Sequence, residues 1–243
     1  MVNYRIHPIA LCEGPRDVSQ WTYCLNVGVK SNIACYIWYI EGPQPNILVD
    51  AGARASLYAE RSLVETDLQS VEGGLSRLGL KPEDIDIIIA THLHFDHIAL
   101  GYLYTKARFV VQKKELDYAQ HPHPLDAWTY DRSTFESLNL EVIEGDKEII
   151  PGISVFLTPG HTPGGQSVEI ETAVGKAIIT GFCCTMDTFT QSEAMKQRGW
   201  EVAAPGLHQD AREAYDSVLK IKRRADIILP LHDSMFIKRE TIP

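Results

Sequence analysis

The sequence predicts an α/β fold built in layers. Three observations lead there. Apolar, β-branched runs alternate along the chain with segments of helical spacing. One such run, Ile85-Asp86-Ile87-Ile88-Ile89-Ala90, reads as a buried strand and leads straight into Thr91–His97, where three histidines and an aspartate fall within six residues. The length, 243 residues with 44% hydrophobic residues, suits one large domain over 1–243 with a sizeable core.

Taken in order, Tyr4 to Leu11 alternates enough to be a first strand, and Asn32 to Ile40 is a second. Glu41-Gly42-Pro43-Gln44-Pro45 is a turn, and Asn46 to Val49 a third strand, so the last two form a hairpin. Thr66 to Leu78 carries Leu68, Val71, Leu75 and Leu78 at helical spacing, with Gly73-Gly74 in its middle and Gly79 placed to cap its end. The organising strand and its polar loop follow. Ala107 to Val111 reads as a short strand and Lys113 to Ala119 as a short helix. The stretch from His121 to Phe135 has no clean period, and its aromatics Trp128, Tyr130 and Phe135 suit a lid or pocket wall. His121 and His123 stand among prolines and read as solvated or substrate-facing, not as ligands. Ile153–Leu157, Gln166–Ile170, Lys176–Thr180 and Ala225–Leu229 are further strands. Gln191 to Pro205 is irregular, and Asp210 to Arg223 is a helix with a clear apolar stripe.

The chemistry sits in the polar loop. Imidazole and carboxylate are ligands that borderline divalent metals such as zinc accept. If extended geometry persists past the strand, His92 and His94 project to one side, because side chains alternate with period two. Asp96 and His97 are adjacent, and a turn can aim both at a second point nearby. The pattern therefore suits a pair of metals, His92 and His94 on one, Asp96 and His97 on the other.

His92-x-His94-x-Asp96-His97 after an apolar strand resembles the signature of the metallo-β-lactamase superfamily. Thr158-Pro159-Gly160-His161-Thr162-Pro163-Gly164 resembles that family's second metal-ligand loop, and Leu229-Pro230-Leu231-His232-Asp233 the loop with its last histidine. Ile47-Leu48-Val49-Asp50-Ala51-Gly52 is similar to its early Leu-x-Asp-x-Gly element. The resemblance implies an αββα sandwich of the metallo-β-lactamase type. It implies His161 as a third nitrogen for the His92/His94 metal and His232 as the third protein ligand of the second. It also implies that Asp50 supports the metal loop, although from the residues alone Asp50 can equally cap the next turn. Order and loop lengths are most similar to the lactonases that open acyl-homoserine lactones.

Two departures stand out. The family places an aspartate that bridges both metals directly after the strand ending at Thr180, and here Gly181-Phe182-Cys183-Cys184 follows, with Phe182 in that column. Cys183 can replace the carboxylate if the chain bulges by one position, since a thiolate is a good zinc ligand, with Cys184 and Asp187 as weaker candidates; otherwise Cys183 and Cys184 are two buried apolar cysteines. Acyl-homoserine lactonases also carry a tyrosine shortly after that aspartate, and Cys184-Thr185-Met186-Asp187 contains none.

The formal net charge of −9 argues against nucleic acid as a partner. No secretory leader and no membrane-length apolar run is visible, and five scattered cysteines form no disulfide framework, which favours a reducing cytoplasm. Self-association is left open. The expected cofactors are two divalent metal ions, zinc first, and the expected partner is a small-molecule substrate. Water on zinc loses a proton near neutral pH, its pKa falling to about 7, and then attacks a carbonyl carbon, with Asp96 able to ligate and to shuttle the proton. The expected activity is that of a lactonase or related cyclic ester or amide hydrolase. The rivals are a glyoxalase II-like thioesterase and an iron-dependent redox enzyme of the sulfur dioxygenase type.

Overall fold

A computed structural model describes residues 3–243. Its strands are β1 (Arg5–Asp17), β2 (Lys30–Glu41), β3 (Ile47–Val49), β4 (Thr66–Asp67), β5 (Ile87–Ile89), β6 (Arg108–Gln112), β7 (Leu140–Ile143), β8 (Lys147–Ile150), β9 (Ile153–Leu157), β10 (Gln166–Thr172), β11 (Gly175–Ile179) and β12 (Ile227–Leu229). The helices are α1 (Ala55–Ala59), α2 (Val71–Ser76), α3 (Phe95–Ile98), α4 (Lys113–Gln120), α5 (Met186–Phe189), α6 (Glu193–Gln197) and α7 (Ala211–Arg224). One sheet has seven strands in the order β4-β1-β2-β3-β5-β6-β7, and the other five in the order β12-β11-β10-β9-β8.

The period of two explains the layers. Ile87 and Ile89 of β5 enter the core between the sheets, with Trp38, Ile40, Val49, Val168, Ile170 and Ile179. Ile88 faces the other way, joining Ile9, Ile37, Leu48 and Phe109 under α2 and α4. A strand buried on both faces needs an unbroken apolar run, which is what 87–89 supplies. On the outer face of the second sheet, Phe156 and Ile178 pack against Val218 and Ile221 of α7. That helix is N-capped by Asp210, whose carboxylate accepts from the Arg212 and Glu213 N–H groups at 2.8 and 3.0 Å. Helices cover both outer faces, so the layers run α, β, β, α, as expected.

Several boundaries differ from expectation. The first strand continues to Asp17, through Pro15. Proline is tolerated there because β4, the neighbour on that side of β1, pairs only at Cys12 and Glu13. The helix expected from Thr66 starts at Val71, where the Ser70 hydroxyl caps it by accepting from the Gly73 N–H. Thr66 and Asp67 are captured by pairing with β1, and Leu68, read as part of the apolar stripe, is exposed. Gly79 does take a left-handed φ of 74° past that helix. β7 and β8 are short strands with no counterpart in the sequence reading, and α5 and α6 form in or beside the stretch read as irregular.

Topology gathers the functional loops at one end. β3 and β5 are parallel with Val49 opposite Ile89, so Asp50 and the Thr91–His97 loop leave the sheet together. β11 and β12 are parallel with Ile179 opposite Leu229, so the Cys183 and His232 segments also leave together. The Gln166 N–H bonds the Thr91 carbonyl at 2.9 Å and ties the two sheets at that end. Ligand sites in open α/β sheets form outside the carboxyl ends of strands for this reason.

Candidate metal centre

Two ligand groups converge. One nitrogen each from His92, His94 and His161 lie within 4.8 Å of one another, as do one ligand atom each from Asp96, His97 and His232. These are the pairs read from spacing, each completed by the histidine that the resemblance supplied. His92 ends an extended segment, and α3 starts at Phe95 with His94 as its N-cap residue, so the chain turns between the two pairs. The His92 ring lies against rings of both groups, 4.6 Å from His94, 5.0 Å from His161 and 4.1 Å from His97 between centroids. The two groups are thus neighbours.

The rings are oriented from behind. Nδ1–H of His161 donates to the Leu207 carbonyl at 2.7 Å, and Nδ1–H of His232 to the Ala34 carbonyl at 3.0 Å. Nδ1–H of His97 donates to Asp50 Oδ2 at 2.7 Å. The Thr91 hydroxyl donates to the same Asp50 oxygen at 2.9 Å, so it accepts from Nδ1–H of His92 at 3.1 Å. For His92, His161 and His232 this leaves Nε2 with its lone pair turned to the site, and a cation would claim the same atom of His97 by displacing its proton. Nε2 of His92 and of His97 are buried and have no hydrogen-bond partner. Buried polar atoms are rarely left so, and a cation at each group satisfies them. The donor set therefore fits a metal pair.

Asp50 has a supporting role, the reading favoured by the resemblance. It is fully buried, its Oδ1 accepts from the Thr91 N–H at 2.8 Å, and its φ is +61°, a left-handed conformation uncommon outside glycine. Burial, reinforced by the neighbouring histidines, pushes His92 well below the ordinary imidazole range, and burial brings His161 and His232 down to about 4. Those three rings are neutral at pH 7 and ready to ligate. Burial alone would raise the Asp96 carboxyl, but His97 and His232 beside it, their Nε2 atoms 3.4 and 3.7 Å from Oδ2, outweigh burial and hold it well down. His97 is raised for the matching reason, the Asp96 and Asp50 carboxylates overcoming its burial.

A cavity of about 330 Å³ opens over both groups, lined by His94, Asp96, His161 and His232. Leu125, Asp126, Trp128 and Thr129 form part of its wall, while His121 and His123 stay exposed and outside it. Of the three aromatics expected there Trp128 lines the cavity, whereas Tyr130 and Phe135 are buried in the core on the outer face of the first sheet. Arg16, Tyr58, Leu207 and His208 also line it, and no motif in the sequence pointed to them. Cys183 faces this cavity, whereas Phe182 and Cys184 point the other way into the apolar layer beneath α7. The Cys183 sulfur is not among the atoms of either convergent group. A carboxylate one position earlier is barred, because a Cβ on Gly181 would lie 2.0 Å from the Gln166 carbonyl oxygen.

This sandwich with its paired ligand groups defines a hydrolase of the metallo-β-lactamase fold, and the model of the metallo-beta-lactamase superfamily matches residues 32–232. The chain belongs to that superfamily. Within it, the chain is similar to an N-acyl homoserine lactonase of Bacillus thuringiensis, 30% identical over 218 residues, which cover 85% of this chain and 82% of that one. Among solved structures it is similar to a quorum-quenching N-acyl homoserine lactone lactonase, with a TM-score of 0.77 and 26% identity over 98% of this chain and 95% of the other. It also resembles an N-acyl homoserine lactone hydrolase with its product N-hexanoyl-L-homoserine bound at the catalytic metal center, with a TM-score of 0.73 and 27% identity over 97% and 95% of the two chains.

Proposed function

We propose that this chain is a dinuclear zinc lactonase, or a closely related cyclic ester or amide hydrolase, acting on a small molecule. The observation that carries the reading is the pair of adjacent three-residue ligand groups under one cavity. His92, His94 and His161 would hold one metal, and Asp96, His97 and His232 the other. When bound, the metals supply Lewis acidity and an activated water. The chain supplies the rest. Asp96, kept ionised by His97 beside it, takes the proton from the attacking water on a carboxylate oxygen and returns it to the leaving oxygen. Trp128, Leu125 and Tyr58 give the cavity apolar walls that seat the substrate beside these groups. The lactone substrates named for the relatives support the class, while the lack of a tyrosine after β11 leaves the acyl-homoserine lactones as one candidate among lactones.

Cys183 belongs to the same reading, as the group that replaces the bridging carboxylate. Burial pushes its thiol up to about 12, and two cations beside it would deprotonate it. Its place at the cavity supports this, because Phe182 does not occupy the space. Replacing Cys183 with serine should lower the bound metal per chain. Two metals and full rate in that variant would remove the thiolate from the ligand set. Five free cysteines support a cytoplasmic setting. Among the described residues no helix is long and apolar enough to cross a membrane.

The deciding experiment loads the protein with zinc and compares lactones, cyclic amides and glutathione thioesters, with elemental analysis of the same sample. Ring opening of lactones with two zincs per chain is expected. Faster turnover of thioesters than of any lactone would favour the glyoxalase II-like reading. One iron per chain with oxygen uptake would favour the dioxygenase.

A further inference from the structure

Two fully buried carboxylates stand behind the ligand groups. Asp50 holds His97 directly and His92 through the Thr91 hydroxyl, so it serves both groups. Glu115, on the first turn of α4 and marked by no motif, stands behind His92, His94 and His161. Glu115 Oε1 accepts from the backbone N–H of Leu93, the residue between His92 and His94, at 3.0 Å. Its Oε2 accepts from the backbone N–H of Gly164, three residues after His161, at 3.1 Å. The Tyr130 hydroxyl donates to Oε1 at 3.2 Å, and the Tyr130 ring stands edge-on to His94 with centroids 4.6 Å apart. One side chain thus ties together the backbone between His92 and His94, the loop that carries His161 and the ring that packs on His94. The fit is close, since a Cβ on Gly164 would lie 2.1 Å from the Glu115 backbone nitrogen.

A carboxylate at zero exposure is costly unless donors surround it and a positive charge lies near. The donors are present, but no lysine or arginine forms an ion pair with Glu115 among the described residues. Burial accordingly pushes its carboxyl up, with the Leu93 and Gly164 N–H groups acting the other way. The counter-charge that this buried anion calls for is a cation at the neighbouring ligand group.

We propose that Glu115 is the positioning residue of the His92/His94/His161 site: it locks the two ligand loops and the Tyr130 ring in register and supplies the buried negative charge that favours a metal there. Asp50, by contrast, is shared, bonding His97 directly and His92 through Thr91. This rests on the two-metal reading above and gives one of the two sites a carboxylate of its own. Partners behind metal ligands typically change metal affinity by roughly 10–100-fold.

The test is a chelator-competition titration of the metal-free protein with zinc, and with cobalt(II) as a spectroscopic probe, in the wild-type chain, Glu115→Gln and Asp50→Asn. Glutamine keeps the size and removes the charge. Glu115→Gln should weaken one binding step by roughly tenfold or more and leave the other within a factor of about two. It should also change the cobalt spectrum of the weakened site only. Asp50→Asn, at a carboxylate shared by both groups, should weaken both steps and is the contrast to Glu115→Gln. A merely structural role of Glu115 would lower the melting temperature and weaken both steps together in Glu115→Gln, and that result, or two unchanged steps, overturns the proposal. Should Glu115→Gln fail to accumulate as folded protein, Tyr130→Phe is read in the same titration, because it removes one bond to Glu115 and keeps the ring on His94. A several-fold loss confined to one step supports the proposal, and no change overturns it. A wild-type chain that shows no two-step binding would defeat the two-metal reading and this proposal with it, whereas unchanged binding in the variants defeats the proposal alone.

Discussion

A histidine ligand must be neutral to bind a metal, and burial makes that state costly to leave. His161 and His232 are held at about 4 in the folded chain, against about 6.5 for an unperturbed imidazole. Between those values the unfolded chain binds more protons than the folded one, so stability rises with pH. The contribution is complete above about 6.5 and is lost as the pH falls toward 4, on the order of 3 kcal/mol per histidine across the whole window. Glu65, raised to about 7 by burial, acts in the opposite sense over the same range, so the histidine contribution is read by difference. The fall in the urea midpoint of the metal-free protein from pH 7 to pH 5 should be smaller in His161→Gln and His232→Gln than in the wild-type chain. An identical pH dependence in all three would mean that the histidines are not buried as a neutral set. Replacing His92 with alanine removes the ring that touches both ligand groups. Metal-dependent turnover should fall to background in that variant, and an unchanged rate would count against the assigned centre.

At the scale of elements, the end of β11 decides what stands between the two groups. Phe182 is buried with Phe156, Ile178, Phe189 and Val218 under α7. Phe182→Asp, which restores the family's residue at the position counted from the strand, should not restore a bridging ligand. It would place an unpaired carboxylate in an apolar layer and leave a cavity, a loss of about 3 kcal/mol or more. Calorimetry and metal analysis of that variant check this. A melting temperature near wild type with two tightly held metals would show that the strand end can turn over. The same layer depends on α7 being held at its start, so Asp210→Ala should cost about 1 kcal/mol through the lost cap, read as a shifted denaturation midpoint at unchanged slope.

Across the whole molecule, the ligands come from both sheets. His92, His94, Asp96 and His97 follow β5 of the first sheet, while His161 and His232 follow β9 and β12 of the second. A metal pair held as proposed would cross-link the two halves of the sandwich and bind only the folded state. At a free-metal level of about 100 times the dissociation constant, one site adds about 2.7 kcal/mol. For a chain of this size that is roughly 5–10 °C. Chelation should lower the melting temperature by at least that amount, with recovery on adding zinc. A melting temperature indifferent to chelator would contradict ligation across the sheets.

Much of this was legible in the sequence. The apolar run at 85–90 and the dense ligand-type residues after it mark a buried strand whose end suits a metal pair, while His161 and His232 joined it only through the resemblance of their loops. The reason is local: burial on two faces demands an unbroken apolar run, and a lone histidine carries no such signal. The alternating layers, the hairpin of β2 and β3 and the helix from Asp210 follow from period and turn chemistry in the same way. Other features depend on partners far away along the chain. Thr66 and Asp67 leave their helical stripe because β1 offers an edge, and Arg16, Tyr58 and His208 reach the cavity only once the sheets are packed. Glu115 looks like any charged residue on a short helix. Its burial under two loops, at 93 and 164, exists only in three dimensions. Whether Phe182 or Cys183 faces the centre was likewise undecided by residue type, since either can be buried. The path of the chain after Gly181 decides it: Cys183 faces the cavity and Phe182 packs in the apolar layer under α7.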